Sequence, residues 1–111
     1  MEIKTQTIKD CFAVKITAHE DDKQVGRLYL YMLKNDLHKE PFGFLEDVFV
    51  AEEYRKQGIG TELVKTAIEE AKRQGCYKLI CTSREASEKI HAFYKRLGFK
   101  KWGFEFRMDL K

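Results

Sequence analysis

Residues 55–60 have the residue types and spacing best suited to ligand binding in this chain. They read Arg55-Lys56-Gln57-Gly58-Ile59-Gly60 and are here called the glycine turn. Two glycines two positions apart allow positive φ and a close approach of the backbone to a ligand. An apolar run precedes the turn and an amphipathic run follows it, so the turn would join a strand to the start of a helix. Backbone amides and the helix dipole at that point favour an anion, and Arg55 and Lys56 add positive charge. The glycine turn therefore predicts a pyrophosphate site.

Two better-known phosphate motifs do not fit the glycine turn. The dinucleotide motif GxGxxG needs a third glycine, but position 63 is Leu. The P-loop needs Lys after its last glycine, but Gly60 is followed by Thr61 and Glu62. The remaining alternative is a sharp strand-to-helix turn that needs glycine only for its backbone shape.

The apolar pattern around the glycine turn predicts an α+β fold with a mixed α/β sheet covered by helices. The predicted elements are strands over 11–18, 25–33 and 44–50, a helix after Gly60 that ends at Gly75, a strand over 77–82, a helix over about 87–97 that stops at Gly98, and a strand in the alternating C-terminal tail. The predicted order is β-β-β-α-β-α-β. The strand–helix–strand unit over 44–82 implies one parallel crossover.

Length and composition predict one globular domain over residues 1–111. The chain has 111 residues, of which 43% are hydrophobic and 35% charged, and this composition argues against disorder. No apolar run approaches the roughly 18 residues of a membrane span, so no membrane partner is expected. The first residues contain no signal-peptide core, so the expected location is cytoplasmic.

Charge is distributed unevenly along the chain. Residues 1–50 carry 7 Lys/Arg and 9 Asp/Glu, whereas residues 51–111 carry 14 and 9, so the second half suits an anionic partner. No Lys/Arg cluster has the form of a nucleic-acid-binding stripe. The three cysteines show no CxxC spacing and the histidines are scattered, so neither a disulfide framework nor a metal site is expected.

Two motifs resemble those of the GNAT superfamily of N-acetyltransferases. Residues 45–63 are similar to its acyl-CoA-binding motif Q/R-x-x-G-x-G/A, with Arg55, Gly58 and Gly60 at the defining positions. Residues 93–99, Phe93-Tyr94-Lys95-Arg96-Leu97-Gly98-Phe99, are similar to its second signature, a Tyr near the end of a helix that runs into Leu-Gly-Phe. The motifs stand in the family order with one predicted strand between them.

The resemblance implies a GNAT-like acyl-CoA N-acyltransferase fold and a defined donor site. The backbone of the strand before the glycine turn would pair with the pantetheine arm of acetyl-CoA, and one of its amides would polarise the thioester carbonyl. Residues 55–61 would hold the pyrophosphate. The cofactor-binding residues implied in this way are Val48, Phe49, Val50, Arg55, Lys56, Gln57, Gly58, Ile59, Gly60, Thr61 and Ser87.

Tyr94 matches the general acid of the family by its spacing to Gly98 and Phe99. A phenol with a pKa near ~10 is suited to give a proton to the departing thiolate. The alternative is that Tyr94 belongs to the core, because Phe93 and Leu97 share its helix. Ser87 stands where many relatives have an Asn that touches pantetheine, and helix capping is the role that its residue type favours.

The amine acceptor must lose a proton before it attacks the thioester. Glu46 is the candidate base, with Asp47 and a water molecule as alternatives. If strand pairing is regular, Glu46 shares a face with Val48 and Val50 and Asp47 points to the other face.

The chain departs from the family because no amphipathic helix precedes the first predicted strand. Those helices normally wall one side of the acceptor site. Two options remain: an open cleft for a bulky or peptide amine, or a wall from another subunit in a homodimer.

The expected activity is transfer of an acetyl group from acetyl-CoA to a primary amine, on a small molecule, peptide or protein, by direct attack in a ternary complex. A covalent intermediate on a cysteine is disfavoured, although Cys81 lies in the strand beside the expected cleft. Two alternatives remain: an acyl-CoA-binding module or sensor without catalysis, and a small scaffold or nucleic-acid-associated protein that uses only the basic second half.

Overall fold

A computed structural model describes all 111 residues of the chain. Its elements are strand β1 (Phe12–Glu20), strand β2 (Lys23–Leu33), strand β3 (Phe42–Val50), a 3-10 turn (Glu52–Tyr54), helix α1 (Ile59–Arg73), strand β4 (Leu79–Cys81) and helix α2 (Glu88–Arg96). These elements follow the predicted β-β-β-α-β-α succession. Neither α-helix has the length and apolar character needed to cross a bilayer.

The four strands form one mixed sheet in the order β1-β2-β3-β4. β1 pairs with β2, and β2 with β3, in antiparallel fashion, whereas β3 and β4 are parallel. The predicted parallel crossover through α1 is therefore confirmed. Asp21 and Asp22, with φ of 49° and 66°, form the tight turn between β1 and β2, and two successive positive φ values are typical of a type I′ hairpin.

The core lies between α1 and one face of the sheet. Leu28, Leu30 and Met32 alternate along β2 and are almost fully buried. The other buried apolar residues are Val25, Leu45, Leu63, Val64, Ala67 and Ala71. α1 approaches the sheet closely, because a Cβ placed on Gly26 would lie 3.1 Å from Leu63 Cδ1. Apolar residues at helical spacing in α1 and at alternate positions in β2 thus bury against each other.

The opposite sheet face, here called the second face, carries larger and more polar side chains. Cross-strand pairs place Tyr29 beside Glu46 and Tyr31 beside Phe44. The Tyr29 and Tyr31 rings stack with their centroids 6.5 Å apart. All four of these side chains are half-buried. The second face includes Arg27, Tyr29, Tyr31, Phe44, Glu46 and Phe49.

The chain divides into two compact units, Met1–Cys81 and Thr82–Lys111. The first contains the sheet and α1, and the second contains α2 and the C-terminal tail. The prediction of a single domain over residues 1–111 stays a prediction.

The last strand of the predicted order is not formed. Residues 99–111 lie outside any helix or strand. Alternation of apolar residues indicates which side chains share a face, but a strand also needs a second strand in hydrogen-bonding register. No such partner pairs with this segment, and the sheet has four strands instead of five.

Candidate active site

A bulge interrupts β3 just before the glycine turn. Tyr29 pairs with Glu46 and Arg27 with Phe49, so Asp47 and Val48 both lie opposite Leu28. Asp47 takes a φ of 54°, in the left-handed region that few residues other than glycine adopt. One inserted residue with a local change of backbone direction defines a β-bulge, a feature that often lies next to active sites.

The bulge corrects the predicted orientation of Glu46. Regular alternation would place Glu46 on the same face as Val48 and Val50. In the structure, Glu46 and Phe49 pair with residues of the second face, whereas Val50 pairs with Gly26 on the core face. The inserted residue reverses the alternation, because each residue of a strand points to the side opposite its predecessor. Glu46 therefore shares its face with Phe49 and not with Val50.

Two arginines hold the backbone on either side of Phe49. Arg27 Nη1 donates a hydrogen bond to the carbonyl oxygen of Asp47, and Arg55 Nε donates to that of Val50 at 2.8 Å. Their guanidinium carbons lie 5.1 Å and 5.5 Å from the centroid of the Phe49 ring, within cation–π range. This contact links the glycine turn, through Arg55, to the bulge. The sequence gives no signal for Arg27, because its contact depends on strand register across 20 residues.

The C-terminal half of β3 has no strand partner on the β4 side. β4 pairs with β3 only at Gly43, Phe44 and Leu45, and it ends at Cys81. β3 continues through Glu46–Val50, so its peptide groups on that side face no strand of the sheet. Such an open edge can pair with an extended ligand as an added strand would. Val48, Phe49 and Val50 all lie on it.

The glycine turn presents backbone amides at the start of α1. Lys56 and Gly58 have φ of 64° and 84°, and Gly58 is the N-cap of the helix without a side-chain cap. The first intrahelical hydrogen bond runs from the Glu62 amide to the Gly58 carbonyl at 3.0 Å. Amides earlier in the first turn have no i−4 carbonyl within the helix. A Cβ placed on Gly58 meets no atom within 4 Å, so this side of the turn is open.

The side chains of the glycine turn are largely exposed. This holds for Arg55, Lys56 and Gln57, whereas Ile59, Gly60 and Thr61 are half-buried. Gln57 Nε2 donates to the Glu53 carbonyl at 3.4 Å, which ties the turn to the preceding 3-10 segment. The two basic side chains and the helix dipole together favour an anion at the turn.

A surface depression of about 280 Å³ lies between the start of α1 and β1. Its lining residues are Ile16, Thr17, Ala18, Gln57, Gly58, Ile59, Glu62, Leu63 and Thr66. Because β1 and β3 are separated by β2, this depression is distinct from the open edge of β3.

Tyr94 lies in the last turn of α2, in the second unit. The Phe99 amide donates to the Tyr94 carbonyl at 3.0 Å and the Gly98 amide to the Lys95 carbonyl at 3.1 Å. Gly98 has a φ of 101°. These are the bonds of a Schellman motif, whose usual apolar contact is the one made here by the Tyr94 and Phe99 rings at 5.4 Å. The spacing of the Tyr94 signature is therefore the spacing of a helix C-cap.

Ser87 occupies the N-cap position of α2, but its side chain makes no capping hydrogen bond. Its backbone carbonyl instead accepts from the Ile90 and His91 amides, both at 3.1 Å. The expected capping by the Ser87 hydroxyl is thus wrong, because the backbone alone starts this helix. Ser87 and Tyr94 belong to the second unit, and Glu46 and residues 48–61 belong to the first.

The Cys81 thiol, in β4, is a poor nucleophile. Burial raises the pKa of the Cys81 thiol to about 11 and also raises that of Cys76. A thiol with this pKa is almost entirely protonated near neutral pH, and the thiolate is the reactive form. No group of three His, Cys, Asp or Glu side chains is close enough to hold a metal ion.

The bulge, the open edge of β3 and the glycine turn follow one another along the chain, from β3 to the start of α1. The sequence matches the acetyltransferase (GNAT) family over residues 3–99. This match covers most of the chain, and the protein therefore belongs to the GNAT acetyltransferase family.

Individual relatives agree with this assignment. The chain is 41% identical over 68 residues to glucosamine 6-phosphate N-acetyltransferase of Trypanosoma brucei brucei, a match to 61% of this chain and 44% of that protein. It is 30% identical to aminoglycoside N(6')-acetyltransferase type 1 of Acinetobacter baumannii, over 85% of this chain and 67% of that one. A crystal structure of a Trypanosoma brucei acetyltransferase superposes with a TM-score of 0.79 and 32% identity, over 88% of this chain and 69% of that one. The chain spans about half the length of several curated relatives.

Proposed function

We propose that this protein is an N-acetyltransferase that moves the acetyl group of acetyl-CoA to a primary amine by direct attack in a ternary complex. One observation supports this proposal. The bulged C-terminal half of β3, which has no strand partner on the β4 side, leads directly into the start of α1, which has no side-chain cap. These are the two features that an extended pantetheine arm and a pyrophosphate require, in the order in which acetyl-CoA presents them.

The donor would lie along the open edge of β3. The peptide groups of Val48, Phe49 and Val50 would pair with the amides of the pantetheine arm. The first-turn amides of α1, with Arg55 and Lys56, would hold the pyrophosphate. A backbone amide at the bulge would donate to the thioester carbonyl, where negative charge develops during attack. Ser87 would contribute a further polar contact to the donor.

The acceptor amine would be deprotonated by Glu46, directly or through water. Its carboxylate is half-buried on the second face, beside Tyr29 and next to the bulge. The amine lone pair would then attack the thioester carbon, the carbon–sulfur bond would break, and the thiolate would leave with a proton. Tyr94 would give that proton, and its ring contacts with Phe93 and Phe99 would fix the direction of the phenol.

We further propose an amino sugar as the first acceptor class to examine. Two of the relatives are named as N-acetyltransferases of glucosamine 6-phosphate and of aminoglycosides. The second face of this chain offers Tyr29, Tyr31 and Phe44, and flat aromatic side chains are common in the lining of small-molecule sites. Because acetyl-CoA is an intracellular metabolite, the proposed location is cytoplasmic.

Calorimetric titration with acetyl-CoA tests the donor site, with ATP as the reference ligand. Gly58→Trp places a large side chain at the open side of the glycine turn and should abolish binding. Gly75→Trp is the matched control, because Gly75 lies at the other end of α1, has a similar φ of 80° and also has no atom near its Cβ position. Equal binding of acetyl-CoA and ATP, or equal loss in both variants, would contradict the donor site.

Release of free thiol in the presence of acceptor amines tests catalysis. Glucosamine 6-phosphate, an aminoglycoside and a peptide with a free amino terminus distinguish the acceptor classes. Tyr94→Phe keeps the ring contacts and should lower kcat by about 10²-fold or more, with acetyl-CoA affinity unchanged. Saturable acetyl-CoA binding without turnover of any amine would favour the alternative, an acyl-CoA-binding module.

A further inference from the structure

Three side chains, here called the charged row, cross the second face just before the bulge. Lys15 of β1 pairs with Tyr29 of β2, and Tyr29 pairs with Glu46 of β3. Directly paired residues of neighbouring strands point to the same side of a sheet. Because neighbouring strands lie about 4.8 Å apart, the backbones of Lys15 and Glu46 are separated by about 10 Å. The charged row thus places a positive and a negative side chain on one face with an aromatic ring between them.

Neither charge of the row is paired with another side chain. The Lys15 ammonium lies 5.7 Å from the centroid of the Tyr29 ring, so its charge is held beside the middle of the row. It makes no ion pair with Glu46 or with any other acid. Glu46 is likewise without an ion pair, and its side chain is half-buried. Two opposite charges held apart on one face can each bind the complementary charge of a single ligand.

Other cations near this face are engaged or lie further from Glu46. Arg27 is held by a backbone carbonyl of the bulge and by the Phe49 ring. Lys78 lies over the Phe42 ring, at the opposite end of β3 from the bulge. Lys15 is therefore the cation that a ligand seated at Glu46 can reach across the sheet.

We propose that Lys15 determines the acceptor class by binding an anionic group, so that the acceptor carries a phosphate or a carboxylate in addition to its amine. This role rests on the proposed function and deepens it. The amine would lie at Glu46, next to the bulge, and the anionic group at Lys15. The part of the acceptor between them, a sugar ring or a short alkyl chain, would lie against the Tyr29 ring.

The same charges disfavour a polycationic acceptor. An aminoglycoside carries several ammonium groups, and those that Glu46 does not deprotonate would approach Lys15 and Arg27. Like charges brought together in this way repel, and such repulsion excludes wrong partners. A phosphorylated amino sugar therefore fits the charged row better than an aminoglycoside does.

Initial rates of thiol release at saturating acetyl-CoA test the role of Lys15 with two matched pairs of amines. Glucosamine 6-phosphate and glucosamine differ in the phosphate, whereas 6-aminohexanoate and 6-aminohexanamide differ in the carboxylate. In the wild type, kcat/KM should be about fivefold higher for the anionic member of at least one pair, through a lower KM. The pair with the larger ratio identifies the anionic group as phosphate or carboxylate.

Variants of two lysines assign the preference to one position. Lys15→Met should reduce the ratio to about one, whereas Lys15→Arg keeps the positive charge and should retain the preference. Lys78→Met is the matched control, because Lys78 also lies over an aromatic ring, 4.9 Å from the Phe42 centroid, and it should keep the wild-type ratio. Added salt should lower the wild-type ratio, since exposed charges are screened.

Equal kcat/KM values within both pairs would overturn the role of Lys15 while leaving acetyl transfer intact. So would a ratio that survives Lys15→Met, an equal fall in Lys78→Met, or a faster reaction with an aminoglycoside than with either anionic amine. Absence of thiol release with every amine, aminoglycosides and peptides included, would instead reject the proposed function, and the role of Lys15 would be rejected with it.

Discussion

At the scale of single residues, Arg27 is the side chain whose role only the structure reveals. Its guanidinium donates to the carbonyl of Asp47, the residue with positive φ in the bulge, and lies over Phe49. A planar guanidinium can make both contacts at once, whereas an ammonium makes only the first well. We infer that Arg27 is a positioning residue that holds the bulge in the shape that the proposed polarisation of the thioester needs.

Arg27→Gln should lower kcat by about tenfold or more, because small misplacement of a catalytic group is costly. The affinity for acetyl-CoA should change by less than about twofold, since most donor contacts lie elsewhere on β3 and the glycine turn. Arg27→Lys should recover part of kcat. Steady-state kinetics with calorimetric Kd values provide the comparison. An equal loss of affinity and kcat in Arg27→Gln would indicate a general structural role instead.

A second residue-scale prediction concerns Cys81. Burial raises its pKa to about 11, so below that pH its thiolate fraction grows about tenfold per pH unit. Alkylation of the native protein by iodoacetamide at pH 8 should label exposed Cys11 first and leave Cys81 nearly unmodified. Mass spectrometry across pH 7–10 should show Cys81 labelling rising with that slope. Fast labelling at pH 7, or an acetylated Cys81 after mixing with acetyl-CoA alone, would contradict direct transfer to the amine.

At the scale of elements, both α-helices end in the same backbone motif. Gly75 closes α1 and Gly98 closes α2, each with positive φ and with bonds to the carbonyls of the preceding turn. The two glycines differ in what they support. Gly98 brings Phe99 onto the Tyr94 ring, whereas Gly75 is followed by Cys76, whose thiol contacts Met32.

Gly98→Ala and Gly75→Ala should therefore cost similar stability but differ in activity. Neither new Cβ meets an atom within 4 Å, so the cost is backbone strain of about 1 kcal/mol in each case. Thermal unfolding should show a drop of roughly 4 °C for both variants. Only Gly98→Ala should also lower kcat, because it loosens the Tyr94–Phe99 contact. Equal kcat values in the two variants would argue that the helix end does not support Tyr94.

The same elements show what a sequence can and cannot predict. Periodicity and glycine positions predicted the element order and the glycine turn, because both depend on local backbone preferences. The bulge was not predictable, since an inserted residue becomes visible only when β2 and β3 are in register. The predicted orientation of Glu46 was therefore wrong. The prediction of a last strand was wrong for a related reason: alternation over residues 102–110 carries no information about which strand would pair with this segment.

At the scale of the whole molecule, the proposed donor residues are distributed over both compact units. Residues 48–61 belong to Met1–Cys81, whereas Ser87 and Tyr94 belong to Thr82–Lys111. Residues 51–111, which carry more Lys and Arg than Asp and Glu, belong partly to each unit, and their net positive charge suits a polyanionic donor. A donor that engages all of these residues must therefore slow local opening in each unit.

Hydrogen–deuterium exchange with saturating acetyl-CoA should show this effect as slower exchange in β3, in the first turn of α1 and in α2. At about 100 times Kd, the ligand should also add about 2.7 kcal/mol to the free energy of unfolding. ATP has phosphates but no pantetheine, so it should slow exchange only at the start of α1 or not at all. Protection confined to Met1–Cys81 would contradict the roles of Tyr94 and Ser87 while leaving the glycine turn as the donor site. Protection in neither unit would reject the donor site as a whole, because bound acetyl-CoA must cover the amides that hold it.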